Sequence, residues 1–189
     1  MKRIEYDINF LSEWHCGAGL SAGADTDALV VKDVNGLPYV PGKTLKGLFR
    51  EAAECLAEVL YTEQVAAIKS SFGTSGDEDD SRKGTIFFGN AEFSPEEGRQ
   101  IKERNLTHFL YGRVYSTRIN DESGTAEDGS LRSMETVVPC TLHGYILLDD
   151  ETLYPLLQDA AKWIKHIGVN RNRGLGRVTL NFKNEGGKS

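Results

Sequence analysis

The sequence predicts an α+β domain in which two amphipathic helices alternate with strands and a β-hairpin protrudes. Three observations carry this expectation. The first residues alternate apolar and polar with period two, two later stretches repeat apolar residues every three to four positions, and strand-like segments fall before, between and after those stretches.

At the N-terminus, "IEYDINF" sets Ile4, Tyr6, Ile8 and Phe10 against Glu5, Asp7 and Asn9, a strand with one buried face. "CGAGLSAGAD" (16–25) is too rich in glycine and alanine for a stable element and reads as a loop. "DALVVKD" (27–33), closed by Asn35-Gly36, reads as a short strand and turn, and Pro38 and Pro41 keep residues 37–41 extended. From Thr44 the positions of Leu45, Leu48, Phe49, Ala52, Leu56, Val59 and Leu60 make one helix face running to about Leu60. "TEQVAAIKSSF" (62–72) continues in helical pattern, and residues 73–84, small and charged, are expected to form a mobile acidic loop.

"TIFFGNAEF" (85–93) reads as a strand and "TVVPCTLHGYILL" (136–148) as a longer one, with Pro139 at an edge or bulge. Residues 94–135 between them read as an insertion, its arms around a Ser-Gly-rich tip forming a protruding hairpin. "DETLYPLLQDAAKWIKHIG" (150–168) is a second amphipathic helix, with Pro155 tolerated in its first turn and Gly168 at its C-cap. "GRVTLNF" (176–182) closes the pattern as a strand. The order is close to β-α-β-β-α-β, the split βαβ of ferredoxin-like and RRM-like folds, in one domain spanning residues 1–189.

A chain of 189 residues suits one core, and no apolar run approaches the roughly 18 residues of a membrane span. "MKRIEYDINF" holds no signal-peptide core, so a cytoplasmic protein is expected. Cys16, Cys55 and Cys140 are far apart and in no metal-binding spacing, which points to plain thiols. Net charge is −6, unfavourable to nucleic acid if taken as one number, but Lys43, Lys46 and Arg50 form one basic group and Arg171, Arg173 and Arg177 another.

Gly42-Lys43-Thr44 invites comparison with a nucleotide-binding loop, which needs G-x-x-x-x-G-K-[ST]. Leu37 stands where the first glycine belongs, and Pro38 and Pro41 remove backbone donors, so no nucleotide cofactor is expected. What remains is a helix start with basic residues, suited to phosphate of any origin or to ion pairs with Glu51 and Glu54. "VNRNRGLGRV" (169–178) brings arginines and Gly174 and Gly176 into one loop, a pattern that suits nucleic-acid backbone. Asp25, Asp27 and Asp33 are candidates for presenting a carboxylate to a metal or a 2′-hydroxyl, or are turn formers. His15 is the one histidine beside the glycine loop, and Tyr6, Phe10, Phe87 and Phe88 are either base-stacking or core aromatics.

The segment "WHCGAGLSAGADTDALVVKDVNGLPYVPGKTLKGLFREA" resembles the N-terminal signature of the RAMP superfamily, proteins of CRISPR RNA-guided effector complexes. "NRNRGLGRV" resembles the glycine-rich loop of that family, and "SLRSMETVVPCTLHGYILL" the segment after its thumb. Within the family the likeness is greatest to the repeated backbone subunit of type III complexes. That resemblance implies an antiviral effector subunit binding guide crRNA and complementary target RNA, beside other effector subunits and copies of itself. It implies that Gly42, Lys43, Thr44, Lys46 and Arg50 lie against guide backbone, with Arg171, Arg173, Gly174, Gly176 and Arg177 nearby. It also implies a thumb carrying Arg113, Arg118 and Arg132. Asp27 falls on the aspartate that cleaves target RNA with a divalent metal, Mg or Mn, with Asp25 as a near neighbour. Relatives without that activity imply a non-catalytic scaffold as the alternative. The family's guide-processing endoribonucleases typically use a histidine, which keeps His15 as a further candidate.

Overall fold

The computed structural model describes residues 1–19, 28–73, 84–120 and 122–183. Strand β1 (Lys2–Phe10) pairs antiparallel on one side with β5 (Thr141–Leu148) and on the other with β6 (Val178–Phe182), and β2 (Phe87–Phe88) adds to β5. The sheet order is β2-β5-β1-β6. Helix α1 (Gly42–Ala57) connects β1 to β2 and helix α4 (Tyr154–Trp163) connects β5 to β6. Each βαβ unit straddles a strand of the other, which is the ferredoxin-like α+β arrangement.

Period-two alternation decides which face is buried. Ile8 stands opposite Leu142 and Leu180, and Tyr6 opposite Gly144, where a Cβ would come within 2.6 Å of the tyrosine ring. These side chains, with Ile4, Phe10 and Ile146, are buried in one core with Leu45, Phe49, Ala52 and Leu56 of α1 and Leu156, Leu157 and Ala160 of α4. Burying each large apolar side chain stabilises the fold by about 1.5–3 kcal/mol, so this layer is its main support. Tyr6, Phe10 and Phe88 are therefore core residues, whereas Phe87 is half-exposed. The other face of the sheet is polar and carries Glu5, Asp7, Asn9, Thr141 and His143.

Several elements differ from expectation. Residues 94–110 were expected within the protruding insertion, but the chain there forms helix α3 (Pro95–Glu103) and a short 3₁₀ turn. The hairpin proper is β3 (Tyr111–Ser116) with β4 (Arg132–Val137), a separate two-stranded sheet. The single long strand expected over 136–148 is divided between β4 and β5 at Pro139. Val138 N–H donates to Leu110, and the Cys140 carbonyl accepts from Phe10, so the two sides of the proline belong to different sheets. The first helix ends at Ala57, and the 62–72 stretch is a 3₁₀ turn followed by α2 (Val65–Phe72). In the described part of 27–33 there are only isolated bridges, at Ala28, Val30 and Lys32, and the 85–93 strand is interrupted after Phe88. Gly168 is not a C-cap: α4 stops at Trp163, and Gly168 lies under the His15 carbonyl, where a Cβ would meet the oxygen at 2.3 Å.

The three thiols are free, and burial pushes Cys16 up to about 12 and Cys140 up to about 11. Among the described residues no helix is long and apolar enough to cross a membrane. Residues 74–83 of the expected acidic loop lie outside the described residues.

Candidate nucleic-acid interface

Helix α1 begins at Gly42 because its first residue must slide beneath β2. A Cβ there would come within 2.1 Å of the Phe88 carbonyl oxygen, and the Gly42 N–H donates to the Asn90 side chain at 3.0 Å. That glycine is thus explained by packing, and its N–H is already used, which removes it from any phosphate cradle. Pro41 offers no side-chain cap and the first turn holds no acid, so the positive end of the helix is left to Lys43 and Thr44, both exposed.

The loop after α4 is tied down beside this helix start. Val169 N–H donates to His15, Gly176 N–H to Glu13, and Ile167 N–H to Gly176. Gly176, at φ +69, approaches Ile167 so closely that a Cβ would sit 1.9 Å from its carbonyl oxygen. Between these fastenings Arg171–Arg173 form a 3₁₀ turn whose arginines are exposed, followed by Gly174 at φ +88 with open space around it. The result is a groove. One hollow of about 390 Å³ is lined by Lys43, Thr44, Gly47, Gly168 and Arg171. It shares Leu48, Glu51, Val169 and Arg171 with a larger one of about 760 Å³ that reaches Cys55, Trp163 and Arg173. Lys43, Arg171 and Arg173 form no ion pair among the described residues.

Two of the expected phosphate ligands turn elsewhere. Lys46 donates to the Ile86 carbonyl at 3.0 Å and Arg50 to the Phe72 carbonyl at 2.8 Å, on the flank of α1 away from the groove. Burial, and then the neighbouring Arg50 charge, lower the pKa of Lys46. Both side chains hold chain ends that flank residues 73–85, and neither lines the groove. Arg177 is exposed at the start of β6, its N–H on Ser12, outside both hollows.

His15 lies beneath the groove, 2% exposed. Its Nδ1 is 2.6 Å from the Glu135 carbonyl, which can only accept, so Nδ1 carries the proton. Glu135 of β4 also accepts from Val30 N–H and from Lys32 Nζ, at 3.0 and 2.8 Å, and its own N–H donates to Ala28. Lys32 stands over the Tyr111 ring, and the Tyr111 hydroxyl donates to Gly36. The base of the hairpin is thereby knotted to residues 28–36. Asp33 is spent on its own turn, accepting from Asn35 and Leu37 N–H groups. Asp25 and Asp27 lie outside the described residues. On the hairpin Arg113 and Arg132 are exposed, and Arg118 pairs with Glu127 at 3.5 Å.

Sequence reasoning overlooked Asn90, Glu135 and Trp163. None left a signal: Trp163 falls three residues after Ala160 and seven after Leu156, at the edge of the apolar stripe, so spacing alone reads it as core although it is exposed.

Residues 7–179 match the RAMP superfamily, and the chain belongs to that family. In fold it is similar to a chain of the type III-B Cmr-beta complex bound to cognate target RNA, solved by cryo-EM. The TM-score is 0.73 at 13% identity, over 96% of this chain and 97% of that one. The apo state of type III-B Cmr-beta gives 0.69 at 13% identity, over 97% and 98%. Comparison with curated proteins finds no match.

Proposed function

We propose that this chain is a subunit of a type III CRISPR effector complex and holds the backbone of a guide crRNA in the groove between α1 and the 168–176 loop, beside other effector subunits and copies of itself. The observation that carries this is the convergence of Lys43 and Thr44 with Arg171 and Arg173, two groups far apart in sequence that line one continuous groove. Exposed cations that form no ion pair among the described residues, beside a helix N-terminus, suit a chain of phosphates. The similarity in fold to a subunit of a complex that binds target RNA agrees with it.

Phosphate contacts carry no base information, so Lys43→Glu or Arg173→Glu should weaken binding of short single-stranded RNAs of unrelated sequence alike, by roughly ten-fold each. Lys46→Met should leave RNA affinity near that of the parent. Equal affinity of parent and groove variants in filter binding would remove the groove from the function.

Cleavage of bound target RNA at Asp27 is the finer part of the proposal. Its support is the neighbouring residue: Ala28 pairs with Met134 and bonds to Glu135 at the base of the hairpin. Among the described residues no group of three or more His, Cys, Asp or Glu side chains is placed to hold a metal, so an Mg or Mn ion would be held by Asp27 together with groups from the RNA. In the assembled complex, Asp27→Ala should abolish cutting of target while target binding persists. Undiminished cutting would remove Asp27 from the chemistry, and binding without any cutting would make the chain a non-catalytic scaffold that holds guide and target. His15→Ala should lower stability rather than turnover, since its imidazole holds the Glu135 carbonyl.

A further inference from the structure

The groove has two chemistries along its length. Beside the start of α1 it presents Lys43, Thr44 and Arg171, as a phosphate chain requires. Farther along, its larger hollow adds an indole, Trp163, while a carboxylate, Glu51, stands where the two hollows meet. The carboxylate does not suit a phosphate, and the broad face of the indole is a stacking surface.

Trp163 is the last residue of α4 and is 59% exposed, while Trp14, the other tryptophan, is fully buried and stacked on Phe10 at 4.3 Å. An indole on a helix end is a rigid platform, and it stands with Leu48, Ile164 and Val169 beside Lys165, Arg171 and Arg173. Glu51 forms no ion pair among the described residues although Arg171 lines the same hollow. A carboxylate only accepts hydrogen bonds and repels phosphate, so in an RNA groove its natural partner is an amine. The hollow, about 760 Å³, is of the size that takes a small planar molecule.

We infer that this end of the groove receives an unstacked nucleobase bearing an exocyclic amine, stacked on Trp163 with its amine donating to Glu51. The inference rests on the groove being a guide-backbone site and adds a base contact to it. Stacking supplies sequence-tolerant affinity, and the carboxylate separates cytosine, with an amino group, from uracil, with a carbonyl there. An apolar protein side chain would use the indole but leave the arginines and Glu51 without partners.

The full-length chain should be titrated with oligocytidylate and oligouridylate of equal length, reading tryptophan emission, which reports Trp163 because Trp14 is enclosed. Oligocytidylate should quench emission and bind the more tightly. Trp163→Ala should lose the quenching and about ten-fold in affinity, and Trp163→Phe should recover part of that affinity. Glu51→Ala should bind the two oligonucleotides equally. If Lys43→Glu weakens binding while Trp163→Ala neither weakens it nor removes quenching, the base contact is wrong and the backbone site stands. If neither variant weakens binding, both fall. An unchanged preference in Glu51→Ala removes the amine contact.

Discussion

Gly174 and Gly176 are two positions apart and are glycine for different reasons. Both have positive φ, but only Gly176 has a carbonyl oxygen where a Cβ would go. Alanine at 174 faces the strain of a left-handed backbone alone, about 1–2 kcal/mol. Alanine at 176 must also push Ile167 aside, roughly 1–3 kcal/mol more. Urea unfolding should show Gly176→Ala as the more destabilised variant by that margin. Sequence made both residues visible as a glycine pair in a basic loop, yet the distinction lies in what the rest of the fold brings against them. The same holds for α1. Lys43, Lys46 and Arg50 look alike as a basic cluster, but a helix turns about 100° per residue, and residues three apart need not share a task when one flank meets β2 and the other a groove.

At the scale of elements, the two amphipathic helices and the alternating strands were legible because each carries its own apolar period. Helix α3 was not, because "PEEGRQIKE" has no apolar stripe and buries only Gly98. Its evidence was local: Ser94 and Glu97 form a capping box, and Pro95 occupies the first turn. The box also contains a titration. Burial raises the pKa of Glu97, but hydrogen bonds from the Ser94 side chain and backbone and the His143 contact outweigh it and hold the carboxyl below its usual value. A depressed folded pKa contributes stability that is present above the unfolded value and lost as pH falls through the folded one. Glu97→Ala should therefore cost about 1 kcal/mol near neutrality. Its deficit against the parent should shrink as pH drops below the ordinary glutamate value, as followed by thermal unfolding across acidic buffers.

For the whole molecule, net charge and function point in opposite directions. The chain carries −6, yet its groove sets Lys43, Lys165, Arg171 and Arg173 on one surface. Association with RNA should therefore be governed by counterion release at the groove rather than by total charge. For single strands each neutralised phosphate contributes about 0.7 to the slope of log affinity against log salt. Removing one groove cation should flatten that slope by about that amount, while Lys46→Met should leave it unchanged. The two basic groups could be read from the residues themselves, but their union in one groove was implied only by the family resemblance, because it depends on His15 and Glu13 anchoring a loop more than 150 residues away.

The break at Pro139 has a geometric consequence. Because the residues on either side of it bond to different sheets, β3 and β4 beyond the Trp14–Val137 bridge at their base make no ladder with the four-stranded core. A matched pair of residues added to each arm of the hairpin would lengthen it by about 7 Å without sliding any strand of the core. The reach of the hairpin is in this sense a free dimension of the protein, a length that evolution or design can reset while the groove and its foundations stay where they are.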